Sequence, residues 1–319
     1  VKTQPSYSRG VNCPGASATS EVTDGDAYPV PSKSLIHRVS EAYIQAVSRV
    51  VGEAYPDPER LLGLSTVPET ADLGHAEKHG EQTAALTKLA CEQLLPFTGK
   101  PVVIEYGCGR GGLALALLHA RPEARCVLVD RDTRRFKLEK RRPDGDTGVL
   151  RLRLDVADFD LGAFLRQPLD AAALPHAATF DLALLSNCAR TAERLQDLWR
   201  RAASLQVAPW PPSKVLACAK HFCGGATDLA LRSLRHVPRV DLAVCCATCC
   251  HHRCDFSTYV NVPFLCELGI CNTAAEFAEF VSMAGWAVGG VDAGNRRLGM
   301  MVKRILDLGR VAWLRETLG

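Results

Sequence analysis

No stretch of the 319 residues comes near the roughly 20 consecutive apolar positions that a bilayer-spanning helix requires. Arg, Asp or His interrupts every candidate, including Val215–Ala219 and Leu242–Cys246, so no membrane partner is expected. An excess of charge is missing too. Lys and Arg number 38 against 35 Asp and Glu, a formal net charge of +3, so any nucleic-acid contact must come from a local patch and not from a global field. Aromatic residues are scarce at 6%, which leaves little material for a pocket that stacks an extruded base. Internal repeats and strongly biased tracts are absent as well. Cysteine, by contrast, is plentiful at 14 residues. The cysteines sit mostly in apolar runs such as Leu216-Ala217-Cys218-Ala219, in a chain too large to need disulfide staples. That usage points to a reducing, intracellular compartment, with cytoplasm or nucleus favoured and an organelle left open.

With 47% hydrophobic and 23% charged residues, the chain can bury a full core. Residues 1–33 are rich in Ser, Gly, Pro and Thr without hydrophobic periodicity and read as a flexible arm. Residues 34–98 read as a helical lead-in. Leu35, Val39, Tyr43, Ala46, Val47 and Val50 recur at helical spacing behind a cap at Ser32 or Ser34. A second helix from about His75 to Leu95 carries Leu86, Leu89, Ala90 and Leu94, before Pro96 and Gly99 break it. From residue 99 to the end the period switches. Val102–Tyr106, Cys126–Asp130, Leu150–Asp155, Val215–Ala219 and Leu242–Cys246 read as strands, with helical Leu113–Ala120 and Thr227–Leu234 between some of them. Such alternation predicts an α/β, Rossmann-like domain with a mostly parallel sheet, right-handed crossovers and helices on both faces. Within it, residues 161–213 read as an insertion or a regular part of the core: Phe180–Leu185 as a strand, Thr191–Leu205 as a helix, Pro209–Pro212 as a linker.

Three strings carry chemistry. Glu105-Tyr106-Gly107-Cys108-Gly109-Arg110-Gly111-Gly112 lies where the first strand turns into a helix, and glycines there let backbone approach a ligand. A G-x-G alone is weak. Its spacing from Glu105, the acid Asp130 ending the second strand and Asp155 ending the third favour an adenosyl cofactor over a dinucleotide, whose third glycine would come later. The expected cofactor contacts are Glu105, Gly107, Cys108, Gly109, Gly111, Asp130, Arg131 and Asp155. Lys220-His221-Phe222-Cys223-Gly224 sits at the carboxyl end of a later strand, where open α/β sheets keep their sites. Cys249-Cys250-His251-His252-Arg253-Cys254 follows the next strand. Adjacent ligands do not easily wrap one tetrahedral ion, and the usual zinc spacing is absent. The string therefore reads as an active-site loop, with no metal expected. Finally, Arg134, Arg135, Lys137, Lys140, Arg141 and Arg142 form a basic run that is either a solvated face or a guide for a phosphate backbone.

Together these strings resemble the eukaryotic tRNA ribose 2′-O-methyltransferases that modify nucleotide 4 of the acceptor stem. The resemblance rests on Lys220-His221-Phe222-Cys223-Gly224 with Thr227-Asp228-Leu229, on Cys249–Asp255 with Tyr259, on Ser282-Met283 with Trp286, and on Lys303 followed by Asp307-Leu308-Gly309-Arg310. It extends through Lys78-His79-x-x-Gln82 and covers roughly residue 35 to the end. It implies a class I methyltransferase fold, S-adenosyl-L-methionine as cofactor, tRNA as partner and a ribose 2′-hydroxyl as target. Lys220, His221, His251, His252, Arg253 and Asp255 are the candidates for activating that hydroxyl. Members of the family also carry small zinc-binding modules, where Cys13 here stands alone. The alternative is thus a catalytically degenerate methyltransferase serving as an RNA-binding or assembly scaffold. A third reading, a methyltransferase for protein or small molecules, keeps only the cofactor site.

Overall fold

The computed structural model describes residues 31–52, 75–94, 99–132, 149–166, 214–237, 241–288 and 291–318. Five strands, β1 (Val102–Tyr106), β2 (Arg125–Val129), β3 (Val149–Leu152), β4 (Lys214–Lys220) and β5 (Asp241–Ala247), form one sheet in the order β3-β2-β1-β4-β5. Every pairing is parallel, with Ile104 aligned to Val127 on one side and to Ala217 on the other. A parallel sheet is covered on both faces. That is why β1 is buried at all 5 of its positions, Glu105 included.

The helices are α1 (Lys33–Val51), α2 (His75–Leu94), α3 (Gly112–Ala120), α4 (Leu161–Arg166), α5 (Gly225–Arg232), α6 (Val262–Glu267), α7 (Ala274–Ser282) and α8 (Ala293–Leu318). One sheet face packs Val103, Cys126, Leu128, Leu216 and Cys218 against Leu86, Ala90 and Leu94 of α2 and Leu113 and Leu117 of α3. The opposite face packs Ile104, Tyr106, Val127 and Ala217 against Phe164 of α4, Leu231 of α5 and Trp313 of α8. A third cluster joins Val39, Tyr43 and Ala46 of α1 to Phe264, Phe277 and Phe280, and to Val302 and Ile305 of α8.

The lead-in thus divides: α2 lies on the sheet while α1 packs on α8. Chain order had grouped the two helices, but each apolar stripe finds a different partner. Ser32 caps α1 by accepting a hydrogen bond from the Leu35 amide at 3.2 Å. The third strand stops at Leu152, short of its expected end. Asp155 instead caps a 3₁₀ turn, Val156–Asp158, accepting from the Ala157 amide at 3.1 Å. The expected strand and helix within 167–213, and nearly all of the arm, lie outside the described residues. Among those described, no helix is long and apolar enough to cross a membrane.

Candidate active site

The strand order reverses direction between β1 and β4, and in open parallel sheets the crevice at such a switch point, outside the carboxyl ends, is where ligands bind. The loops that leave these two strands meet there. Gly107, Gly109 and Gly111 hold φ of 60°, 52° and 85°, a left-handed region that a side chain makes strained. A Cβ on Gly107 would run into the Phe222 ring, just past β4, whereas one on Gly109 would meet nothing within 4 Å. The outer side of the turn is therefore open.

The carboxylates are held by the same turn. Glu105, 3% exposed, accepts from the Ala114 amide at 2.9 Å, at the positive end of α3. Burial pushes its pKa up to about 8, against the pull of the Ala114 amide and the Arg151 and Lys220 cations. Asp130 accepts from the Gly109 amide at 2.7 Å and from the Asp132 amide at 2.8 Å, and Asp155 lies 3.9 Å from Arg131. Arg151, on β3, donates to the Gly109 carbonyl at 2.9 Å and to Cys108 Sγ at 2.8 Å. Cys108 is buried, so its thiol serves the turn and only its backbone is available to a ligand. Sequence reasoning missed Arg151; the signal was a charged residue inside an otherwise apolar strand.

On the other side of the switch point, Lys220 Nζ donates to Thr83 Oγ1 of α2 at 2.5 Å. Burial draws the Lys220 pKa down, and Glu105 partly restores it. Thr83 carried no sequence signal beyond its place beside Lys78-His79-x-x-Gln82. His221 is non-glycine at φ 56°, and its carbonyl accepts from Cys223 Sγ at 3.4 Å. Cys223 Sγ lies 2.8 Å from Cys249 Sγ, which lies 3.6 Å from Cys250 Sγ. Hydrogen bonding from Cys223, with His221 and Cys250 adding to it, pulls Cys249 toward the thiolate, and the same contact pushes the Cys223 thiol up.

The third string divides in role. His251 is 3% exposed, with Nδ1 3.2 Å from the Cys249 carbonyl and Nε2 2.8 Å from Asp307 Oδ1. Asp307 also accepts from Arg310 at 3.0 Å and Thr248 at 3.1 Å. Burial would raise its pKa, but the bond to His251 and the charges of His251 and Arg310 outweigh that and bring it to about 2. Arg310 grips the fully buried Asp228 in a fork, at 3.1 and 2.7 Å. Asp255 accepts from the Ser257 amide at 2.8 Å, closing its own turn. Of the six expected catalytic residues, all but His251 keep half-buried or exposed side chains; His251 belongs to the interior network, and Asp255 is engaged in its own turn. Burial, then Arg253 and His251, lowers the His252 pKa and keeps its imidazole neutral. Arg134, Arg135, Lys137, Lys140, Arg141 and Arg142 lie outside the described residues.

Residues 81–177 and 195–297 match the family model "Methyltransferase TRM13". The chain is similar to the "tRNA:m(4)X modification enzyme TRM13" of Vanderwaltozyma polyspora, 25% identical over 296 residues, covering 79% of this chain and 59% of that protein. The Eremothecium gossypii protein of the same description is 29% identical, with 96% of this chain and 70% of that one covered. The human homologue is 24% identical over 68% of this chain and 45% of its own length. The chain thus spans about half to two thirds of the curated relatives it matches. Among solved structures, coclaurine N-methyltransferase bound to N-methylheliamine and SAH covers 90% of this chain and is itself covered over 85%, at 11% identity and a TM-score of 0.33, too distant to carry an argument.

Proposed function

The chain belongs to the TRM13 methyltransferase family, and from that premise we propose that it transfers a methyl group from S-adenosylmethionine to a ribose 2′-hydroxyl of tRNA, at nucleotide 4 of the acceptor stem. The observation that carries this reading is the meeting of the open, left-handed Gly107–Gly111 turn with the Lys220–Cys223 loop at the switch point between β1 and β4.

The residues present fit the cofactor. Gly107, Gly109 and Gly111 would let backbone approach it, Asp130 would accept from its ribose, and Asp155 with Arg131 would lie at its adenine edge. Bound there, S-adenosylmethionine supplies a methyl group already activated on a sulfonium. The chain's own residues then have two tasks. Positioning is the first, and it supplies much of the rate in a transfer of this kind. The exposed Arg253 and the basic run from Arg134 to Arg142 would hold phosphates, which orients the ribose without stacking a base. Proton removal is the second. His252, its pKa lowered by burial, would accept the 2′-hydroxyl proton on a ring nitrogen, while the Lys220 ammonium would stabilise the developing oxyanion. His251 and Asp255 act as positioning residues for this loop. The free thiols at every described cysteine suit the reducing, intracellular compartment inferred from sequence.

Purified protein incubated with labelled S-adenosylmethionine and total tRNA should yield a 2′-O-methyl nucleoside by mass spectrometry. Lys220→Ala and His252→Ala should each lower kcat by about 100-fold or more with cofactor affinity retained. A methylated base, or wild-type turnover in both variants, would reject the mechanism. Absence of cofactor binding would favour the scaffold reading.

A further inference from the structure

Cys223, Cys249 and Cys250 bring their sulfur atoms within 4.8 Å of one another, and the proposed chemistry uses none of them. The Cys249–Cys254 string does not close a metal cage by itself: Cys254 is buried and takes a hydrogen bond from Arg310 at 3.1 Å, and His251 is committed to Asp307. The third sulfur comes from elsewhere in the chain. Cys223 follows β4 and Cys249 follows β5, and pairing of these two strands sets the two loops side by side. The contact is close enough that a Cβ on Gly224 would collide with the Arg253 carbonyl.

Two backbone features shape the loops that carry these sulfurs. Successive side chains of an extended strand point to opposite sides, yet Cys250, at φ −93° and ψ 65°, has left the extended region, and its sulfur stays 3.6 Å from that of Cys249. His221, two residues before Cys223, adopts φ 56°, strained for a non-glycine residue, and its carbonyl accepts from Cys223 Sγ at 3.4 Å. Strained backbone of this kind persists where the surroundings enforce it.

We propose that Cys223, Cys249 and Cys250 form a three-thiolate Zn²⁺ site that ties the β4 loop to the β5 loop beside the active site. Thiolate sulfur is the donor that structural zinc sites use most. Tetrahedral Zn–S bonds of about 2.3 Å put sulfurs about 3.8 Å apart; the Cys249–Cys250 pair is already near that, and the Cys223–Cys249 pair would open by about 1 Å. The ion would fix the loop that follows Lys220 relative to His252 and Arg253. The site is independent of which substrate is methylated.

Elemental analysis of the full chain purified without added chelator should find stoichiometric zinc. Replacing it with Co²⁺ should produce the intense visible bands of a tetrahedral thiolate site. Cys223→Ser and Cys250→Ser should each weaken zinc binding by about 100-fold or more, while Cys266→Ser, on α6, should retain it. Should a serine variant fail to fold, Co²⁺ titration of the wild-type protein and zinc protection of its thiols against a thiol reagent still decide the matter. Wild-type protein that binds neither ion, or whose Cys223 and Cys249 form a disulfide under reducing purification, would overturn the proposal, even if methylation proceeds normally.

Discussion

Glu105 is a carboxyl held far from its free form. Its carboxyl titrates near 8 against 4.5 for the unperturbed group, chiefly because it is buried. The folded state therefore holds the proton more tightly than the unfolded chain does. Stability from this group is fully present below about pH 4.5 and is lost as pH rises through about 8, a change on the order of a few kcal/mol. Glu105→Gln keeps an acceptor for the Ala114 amide but cannot ionise, so its melting temperature should fall less than that of the wild type between pH 5 and 9 in a buffer series. Parallel profiles would show that Glu105 is not the source of the slope. Asp307 has the opposite sign. Its depressed pKa, about 2, contributes stability above its unfolded value, lost as pH falls toward 2.

At the scale of elements, the five strands and the turn after β1 were legible because each carries a local signal: a short apolar run, a change of period, glycines where φ must be positive. Gly109→Val is accordingly expected to abolish S-adenosylmethionine binding in calorimetry, since a branched side chain there both strains φ 52° and fills the open side of the turn. Unchanged affinity would move the cofactor elsewhere. What stayed hidden was long-range. Nothing in the sequence tells that Asp228 of α5 and Arg310 of α8, 82 positions apart, share a buried fork, or that Cys223 meets Cys249. His251 looked like a base in the sequence for the same reason, since its partner Asp307 is 56 positions away. Removing one member of the buried fork leaves an uncompensated charge, so Arg310→Ala should destabilise by roughly 3–5 kcal/mol, whereas the double change Asp228→Leu with Arg310→Met should cost much less. Denaturant unfolding of the single and double variants measures that difference, and equal losses would mean that packing, not charge, dominates there.

For the molecule as a whole, a net charge of +3 is too small to draw a polyanion by itself, so the proposed tRNA contact must be local. Six of the basic side chains, Arg134, Arg135, Lys137, Lys140, Arg141 and Arg142, fall in the connection that follows β2. That strand ends at Val129, immediately before Asp130. A connection leaving the carboxyl end of β2 begins beside the proposed cofactor crevice. Each phosphate neutralised by a cation releases counterions, so binding falls with salt in proportion to the number of such contacts. Arg141→Glu combined with Arg142→Glu should therefore weaken tRNA binding strongly at low salt and lower the magnitude of the log–log salt slope by roughly 1–2. Cofactor affinity should not change, because the sequence-assigned cofactor contacts end at Arg131 on this side and resume at Asp155. Filter binding or fluorescence anisotropy across a salt series, paired with calorimetry for the cofactor, separates the two effects. An unchanged slope would make the run a solvated face and leave Arg253 as the phosphate contact to test next.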